Sequence, residues 1–79
     1  MVLIEALNGA LIRIESFQTS AGLAAKLRQL GLVPGDVARV VRHAPFQGPI
    51  LLEIRGREIA LGRTIAAKIQ VEVVECDLP

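Results

Sequence analysis

A leucine run that halts at a glycine and meets a proline three residues later constrains this chain more than any other stretch: Leu27-Arg28-Gln29-Leu30-Gly31-Leu32-Val33-Pro34-Gly35. Leu23, Leu27 and Leu30 recur at i, i+4 and i+7, which places them on one face of a helix. Gly31 falls where a helix takes a left-handed C′ residue, a region that glycine enters without a Cβ clash. Pro34 cannot continue a helix, because it lacks an N–H and its ring collides with the preceding turn. Pro34-Gly35 fits the central pair of a type II turn, with proline fixing φ and glycine supplying φ > 0. The spacing predicts a helix over about 20–30 that ends abruptly and launches a strand. The stretch holds no reactive group, so its meaning lies in what it joins.

On either side of it the chain reads as short strands. After the Asn8-Gly9 turn, Ala10 to Glu15 alternates, with Ile12 and Ile14 inward and Arg13 and Glu15 outward. Thr19 or Ser20 can cap the helix, and Ala21, Ala24 and Ala25 favour it and permit close approach to a sheet. Asp36 to His43 is rich in β-branched residues, carrying Val37, Val40 and Val41 with Arg39 and Arg42 interleaved. Ala44-Pro45-Phe46-Gln47-Gly48-Pro49 is a loop. Ile50 to Arg55 follows as a strand with Ile50, Leu52 and Ile54 on one face, and Gly56 marks a tight hairpin. Arg57 to Leu61 returns with Ile59 and Leu61 inward. Gly62-Arg63-Thr64 leads into a helical turn at about 64–67, and Lys68 to Glu75 is a last strand carrying Ile69, Val71 and Val73. Met1 to Leu7 is a lead-in, helical or extended.

Five short strands expose two edges unless the sheet curls and closes. The expectation is a mainly β, closed or nearly closed five-stranded barrel, one domain over 1–79, plugged at one end by the Leu23/Leu27/Leu30 helix. Apolar residues make up 52% of the chain, more than so small a domain can bury, so some apolar surface is left for a partner. By strand parity Val40 and Val41 cannot both point inward, nor can Val73 and Val74, and Leu51 points away from Ile50 and Leu52. Phe46 is either an exposed anchor at the loop tip or the residue that closes one end of the barrel.

The charge balance, nine basic and eight acidic residues, argues against binding a polyanion by charge alone. Two phenylalanines and no Tyr or Trp leave little for base stacking or for a proline-rich-peptide groove. The single cysteine, Cys76, cannot form an internal disulfide, which fits a reducing compartment. With no signal peptide and no apolar run long enough to span a bilayer, the expected location is cytoplasmic.

Reactive constellations are sparse. Gly62-Arg63-Thr64 has too few glycines and no lysine for a phosphate-binding loop, and reads as a connector. Ser16, Thr19, Ser20 and Thr64 have no sequence-coupled base. His43, Cys76 and Asp77 are the metal-ligand candidates, with Glu72 and Glu75 near the last two. One histidine and one cysteine write no paired-ligand motif, so a half-exposed strand end and a solvated acidic edge are expected instead. No cofactor and no catalytic residue is expected.

An ordered series of these elements resembles the FeoA family, small cytoplasmic proteins of bacterial ferrous-iron uptake. The series is Asn8-Gly9 with Ile12-Arg13-Ile14, Leu27 to Gly35, Ala44-Pro45-Phe46 with Gly48-Pro49, Arg55-Gly56 with Ile59-Ala60-Leu61, then Ala66-Ala67-Lys68-Ile69 and Val71. Its structural residues are Leu27, Leu30, Gly31, Leu32, Pro34, Gly35 and Gly56. The resemblance implies an SH3-like barrel with an inserted helix, and work beside the membrane transporter FeoB, whose cytoplasmic part binds GTP. It supplies no catalytic residues. The same module ends some metal-dependent repressors, which leaves a metal- or ligand-sensing module as an alternative; the lack of an attached DNA-binding domain favours the separate protein. Self-association through a barrel edge or apolar patch is a further alternative. The expected partner surface is Pro45, Phe46, Gln47, Leu51 and Arg55, docking on the transporter without insertion into the membrane or contact with nucleic acid.

Overall fold

The computed structural model describes residues 1–76, and their side-chain surroundings through Val74. After a 3-10 turn at Leu3–Glu5 come β1 (Ala10–Phe17), α1 (Ala21–Gln29), β2 (Val37–His43), β3 (Ile50–Ile54), β4 (Arg57–Leu61), α2 (Arg63–Ala66) and β5 (Ile69–Cys76). Five antiparallel strands hydrogen-bond in the order β4-β3-β2-β1-β5. β2, β3 and β4 form a meander, while β1 pairs with β2 across the inserted helix and with β5 across the rest of the chain.

Alternation decides which side faces in. Ala10, Ile12 and Ile14 of β1, Ala38 and Val40 of β2, Ile50, Leu52 and Ile54 of β3, and Ile69 and Val71 of β5 are all buried. Leu3 and Ala6 from the lead-in, Leu27 from α1, Leu32, Leu61, and Ala66 from α2 complete one apolar core, and no polar side chain is buried among the described residues. Register shifts between Leu11 and Ile12, between Ile14 and Ser16, and between Val40 and Arg42 each place an extra residue on one strand. Such bulges bend a strand and tighten its twist, which lets so few strands wrap their own side chains. The roll is not hydrogen-bonded shut: among the described residues β4 and β5 stay unpaired with each other. Part of the free β5 edge is covered by the lead-in, where the Val71 amide donates to the Met1 carbonyl (2.8 Å) and Val2 bridges Gln70.

The joint at Gly31 forms as the sequence requires. Ser20 caps α1, its Oγ accepting the Leu23 amide at 3.3 Å. At the other end the Leu32 amide donates to the Leu27 carbonyl (3.0 Å) and the Gly31 amide to that of Arg28 (2.9 Å), with Gly31 at φ +96°. This is a Schellman closure, and its usual apolar pair is here Leu27 with Leu32, both buried. The Asp36 amide then donates to the Val33 carbonyl (3.1 Å) across Pro34-Gly35, with Gly35 at φ +97°. Bonds from Gly35 N to Ile14 O (2.7 Å) and from Ile14 N to Asp36 O (2.8 Å) tie that turn to β1.

The expected leucine plug is corrected. Leu27 is the only residue of α1 that is buried; Leu23 is half-buried and Leu30 is 44% exposed. The helix ends at Gln29, so Leu30 is the C-cap from which the chain turns, and Leu32 takes the inward place instead. Ala21 and Ala25 face solvent and make no close approach to the sheet. Val73, expected inward, is 39% exposed and Val74 37%. The two lie where β5 carries one residue more than β1, Ile12 facing Val73 and Leu11 facing Glu75, beyond the inward pair Ile69 and Val71.

Candidate interaction surface

β2 and β3 continue past their last ladder pair, His43 with Ile50, into a tight tip. The Ala44 amide donates to the Pro49 carbonyl (2.9 Å), and the Gly48 amide to that of Pro45 (3.1 Å). Between them Phe46 and Gln47 both stand at φ +58°. Left-handed backbone at both central positions is the turn whose twist matches a hairpin, and it is ordinarily built from Asn-Gly. For residues bearing a Cβ it costs about 1–2 kcal/mol each. Gly48 is required by space rather than φ, since a Cβ there would lie 2.9 Å from the Ala44 Cβ and 3.0 Å from the Pro45 carbonyl oxygen.

Phe46 is 100% exposed. Of the two sequence expectations for it, closure of the barrel is excluded, because the side chain touches no core. A strained turn thus holds an unpacked aromatic ring in water. Nothing in the stability of the fold accounts for that placement.

Leu51 and Arg55, also expected contact residues, do not form one patch with it. Leu51 is half-buried on the outer face, opposite Arg42 on β2 and Ala60 on β4. Arg55 follows the far end of β3, about 16–17 Å along the strand from Ile50. It is also engaged there: its Nη2 lies 2.7 Å from Asp36 Oδ1, and its Nη1 donates to the Gly31 carbonyl at 3.5 Å. Pro45, Phe46 and Gln47 make the tip, Leu51 lies along the outer face, and Arg55 belongs to the helix joint.

Sequence reasoning missed Leu7, which is 75% exposed. It lies between Ala6 and Asn8, both bonded to His43: the imidazole Nε2–H donates to the Ala6 carbonyl (2.7 Å), and Asn8 Oδ1 accepts the His43 amide (3.1 Å). Those bonds bring Leu7 to the base of the Phe46 hairpin. Only the adjoining Asn8-Gly9 turn hinted at it. Ile4, Glu5, Ala6, Leu7, Asn8 and His43 line a shallow groove there.

His43 therefore spends Nε2 on a backbone carbonyl. Among the described residues no three His, Cys, Asp or Glu side chains converge as a metal site. Glu72 is ion-paired with Arg13 at 3.3 Å. Asp77 and the Cys76 side chain lie outside the described residues. Gly62-Arg63-Thr64 starts the four-residue α2 as a connector, with Gly62 as N-cap. No described helix is long and apolar enough to cross a membrane.

The fold is that of an SH3-like domain, five antiparallel strands with a helix inserted between the first two. The FeoA domain profile matches residues 1–73, and the chain belongs to the FeoA family. It is 30% identical over 68 residues to Fe(2+) transport protein A of Methanocaldococcus jannaschii, covering 86% of this chain and 80% of that protein. Among solved structures, iron(II) transport protein A from Clostridium thermocellum superposes with a TM-score of 0.87 at 38% identity, covering 94% of this chain and 46% of that one. The FeoA protein from Chlorobium tepidum gives 0.86 at 29%, covering 99% and 74%. The manganese-activated repressor ScaR, in its Zn2+-bound form, gives 0.86 at 28%, covering 94% and 37%. This chain thus spans less than half the length of the Clostridium protein and of the repressor.

Proposed function

We propose that this chain is a non-catalytic accessory protein of ferrous-iron uptake that works in the cytoplasm, by contact with the GTP-binding part of a FeoB-type transporter. The observation that carries this is Phe46, wholly exposed on a turn whose left-handed backbone opposes folding. Aromatic side chains, Phe among them, are enriched in protein interfaces relative to the rest of the surface. Family membership links the chain to Fe(2+) transport. Pro45 and Gln47 adjoin the anchor in the tip, and Leu7 stands exposed at the base of the same hairpin, between two residues bonded to His43. Contact there biases the transporter's conformation or nucleotide cycle.

Capture of the full chain on the immobilised cytoplasmic part of the transporter tests this. Retention that falls for Phe46→Ala and Leu7→Asp, and not for Arg28→Gln on the outside of α1, is the supporting result. A second reading follows from the likeness to ScaR, a metal- or ligand-sensing module. It would be favoured by stoichiometric Fe(2+) binding in calorimetry that is lost in His43→Ala, with no retention on the transporter.

A further inference from the structure

We propose that α1 is a separately releasable element, latched onto the barrel by the two arginines that flank the β3–β4 turn. The inference is independent of the Phe46 surface. Nine residues are too few for a helix to persist alone in water, so α1 depends on what it touches. It buries a single side chain, Leu27, while Ala21, Gly22, Ala25, Lys26 and Gln29 are exposed. Leu23 and Ala24 are half-buried, and the polar grip comes from one place. Arg57 Nη2 donates to the Leu30 carbonyl at 3.2 Å, and Arg55 Nη1 to the Gly31 carbonyl at 3.5 Å. Arg55 Nη2 also pairs with Asp36 Oδ1 at 2.7 Å, on the turn just after the helix joint.

Helix C-termini carry partial negative charge on carbonyls left without intrahelical partners, and guanidinium groups there are favourable. What is unusual is their source, since they reach in from a distant hairpin rather than from the last turn of the helix. Arg55 stands at φ +51° and Gly56 at +77°, so a tight turn aims both side chains from one rigid point. The fit is close: a Cβ on Gly31 would lie 2.6 Å from Arg57 Nη2. Release of the two guanidinium groups leaves Leu27 and Leu32 as the only buried hold, and Ser20 and Gly31 as the ends about which α1 moves. Because Arg55 is 64% exposed, the latch is open to competition from salt or from an anionic group on a partner.

Native-state hydrogen exchange on the full chain tests this. In the wild type, amides bonded within α1 open in a local event distinct from the slower opening of β2 and β3 amides. The double variant Arg55→Gln/Arg57→Gln speeds α1 exchange about tenfold, with β2 and β3 rates changed much less, while Arg28→Gln, which removes one charge from the helix's own last turn, speeds it clearly less. Three results overturn the latch: one common opening rate for α1 and the sheet in the wild type, equal acceleration of both in the double variant, or an effect of Arg28→Gln as large as that of the pair. If the double variant does not fold, the wild type in a sodium chloride series gives the same reading, and selective acceleration of α1 with salt is required.

Discussion

The Arg55 guanidinium and the Asp36 carboxylate lie 2.7 Å apart, joining the β3–β4 turn to the turn that begins β2. The Asp36 side chain is only 12% exposed, and its second oxygen accepts the Val33 amide at 3.1 Å. Arg55 is largely solvated, so the Coulomb part of the pair is small. Asp36→Ala removes two hydrogen bonds whose donors water can reach, and urea unfolding should register about 0.5–1.5 kcal/mol. Asp36→Asn, which can still accept from Val33, should lose less.

Leu27 is the sole buried anchor of α1, and it closes the Schellman turn against Leu32. Leu27→Ala should lower stability by about 2–5 kcal/mol. In a domain of this size that lowers the thermal midpoint by more than about 10 °C. Leu30→Ala, two-fifths exposed and outside the core, should change stability by about 0.5 kcal/mol or less. Equal losses for the two would mean that the helix packs through its whole leucine face.

Ser20 is the other fixed end of the helix. Its Oγ accepts the Leu23 amide, one of the donors left free in the first turn. Ser20→Ala should cost about 1 kcal/mol in chemical denaturation. Thr19→Ala should cost less, since Ser20 and not Thr19 occupies the capping position.

The Phe46 tip predicts opposite signs at adjacent residues. Gln47→Gly relieves a left-handed residue and should raise stability by about 0.5 kcal/mol. Gly48→Ala forces a methyl group into Ala44 and the Pro45 carbonyl, and should lower it by about 1–3 kcal/mol. Phe46→Ala should leave the unfolding midpoint nearly unchanged, because the ring touches no core.

The local constraints were the legible part of the fold. Gly31, Pro34 and Gly35 each admit few backbone conformations, so the end of α1 and the turn after it follow from those residues alone. Alternation in Ile50-Leu51-Leu52 and Ile12-Arg13-Ile14 likewise assigns the inner face of β3 and β1. What depended on docking was not legible. The count of helix leucines that reach the core is set by where α1 meets the barrel, which its periodicity does not encode. The exposure of Val73 and Val74 reflects a bulge against β1, a long-range feature without a residue signature. At the candidate surface, Phe46 could be located on a loop but not assigned to either side of it, because successive non-glycine residues at φ +58° have no sequence marker. Arg55 looked like a free surface cation because its partner, Asp36, is 19 residues away in sequence.

Calorimetric titration of the folded chain into the GTP-binding cytoplasmic part of the transporter tests the role of the Phe46 tip most directly, with Phe46→Ala as the comparison. The expected result is saturable binding that weakens at least about tenfold in the variant, although both proteins unfold at nearly the same temperature. Binding of equal strength by the two, or no heat from the unaltered chain, would contradict it.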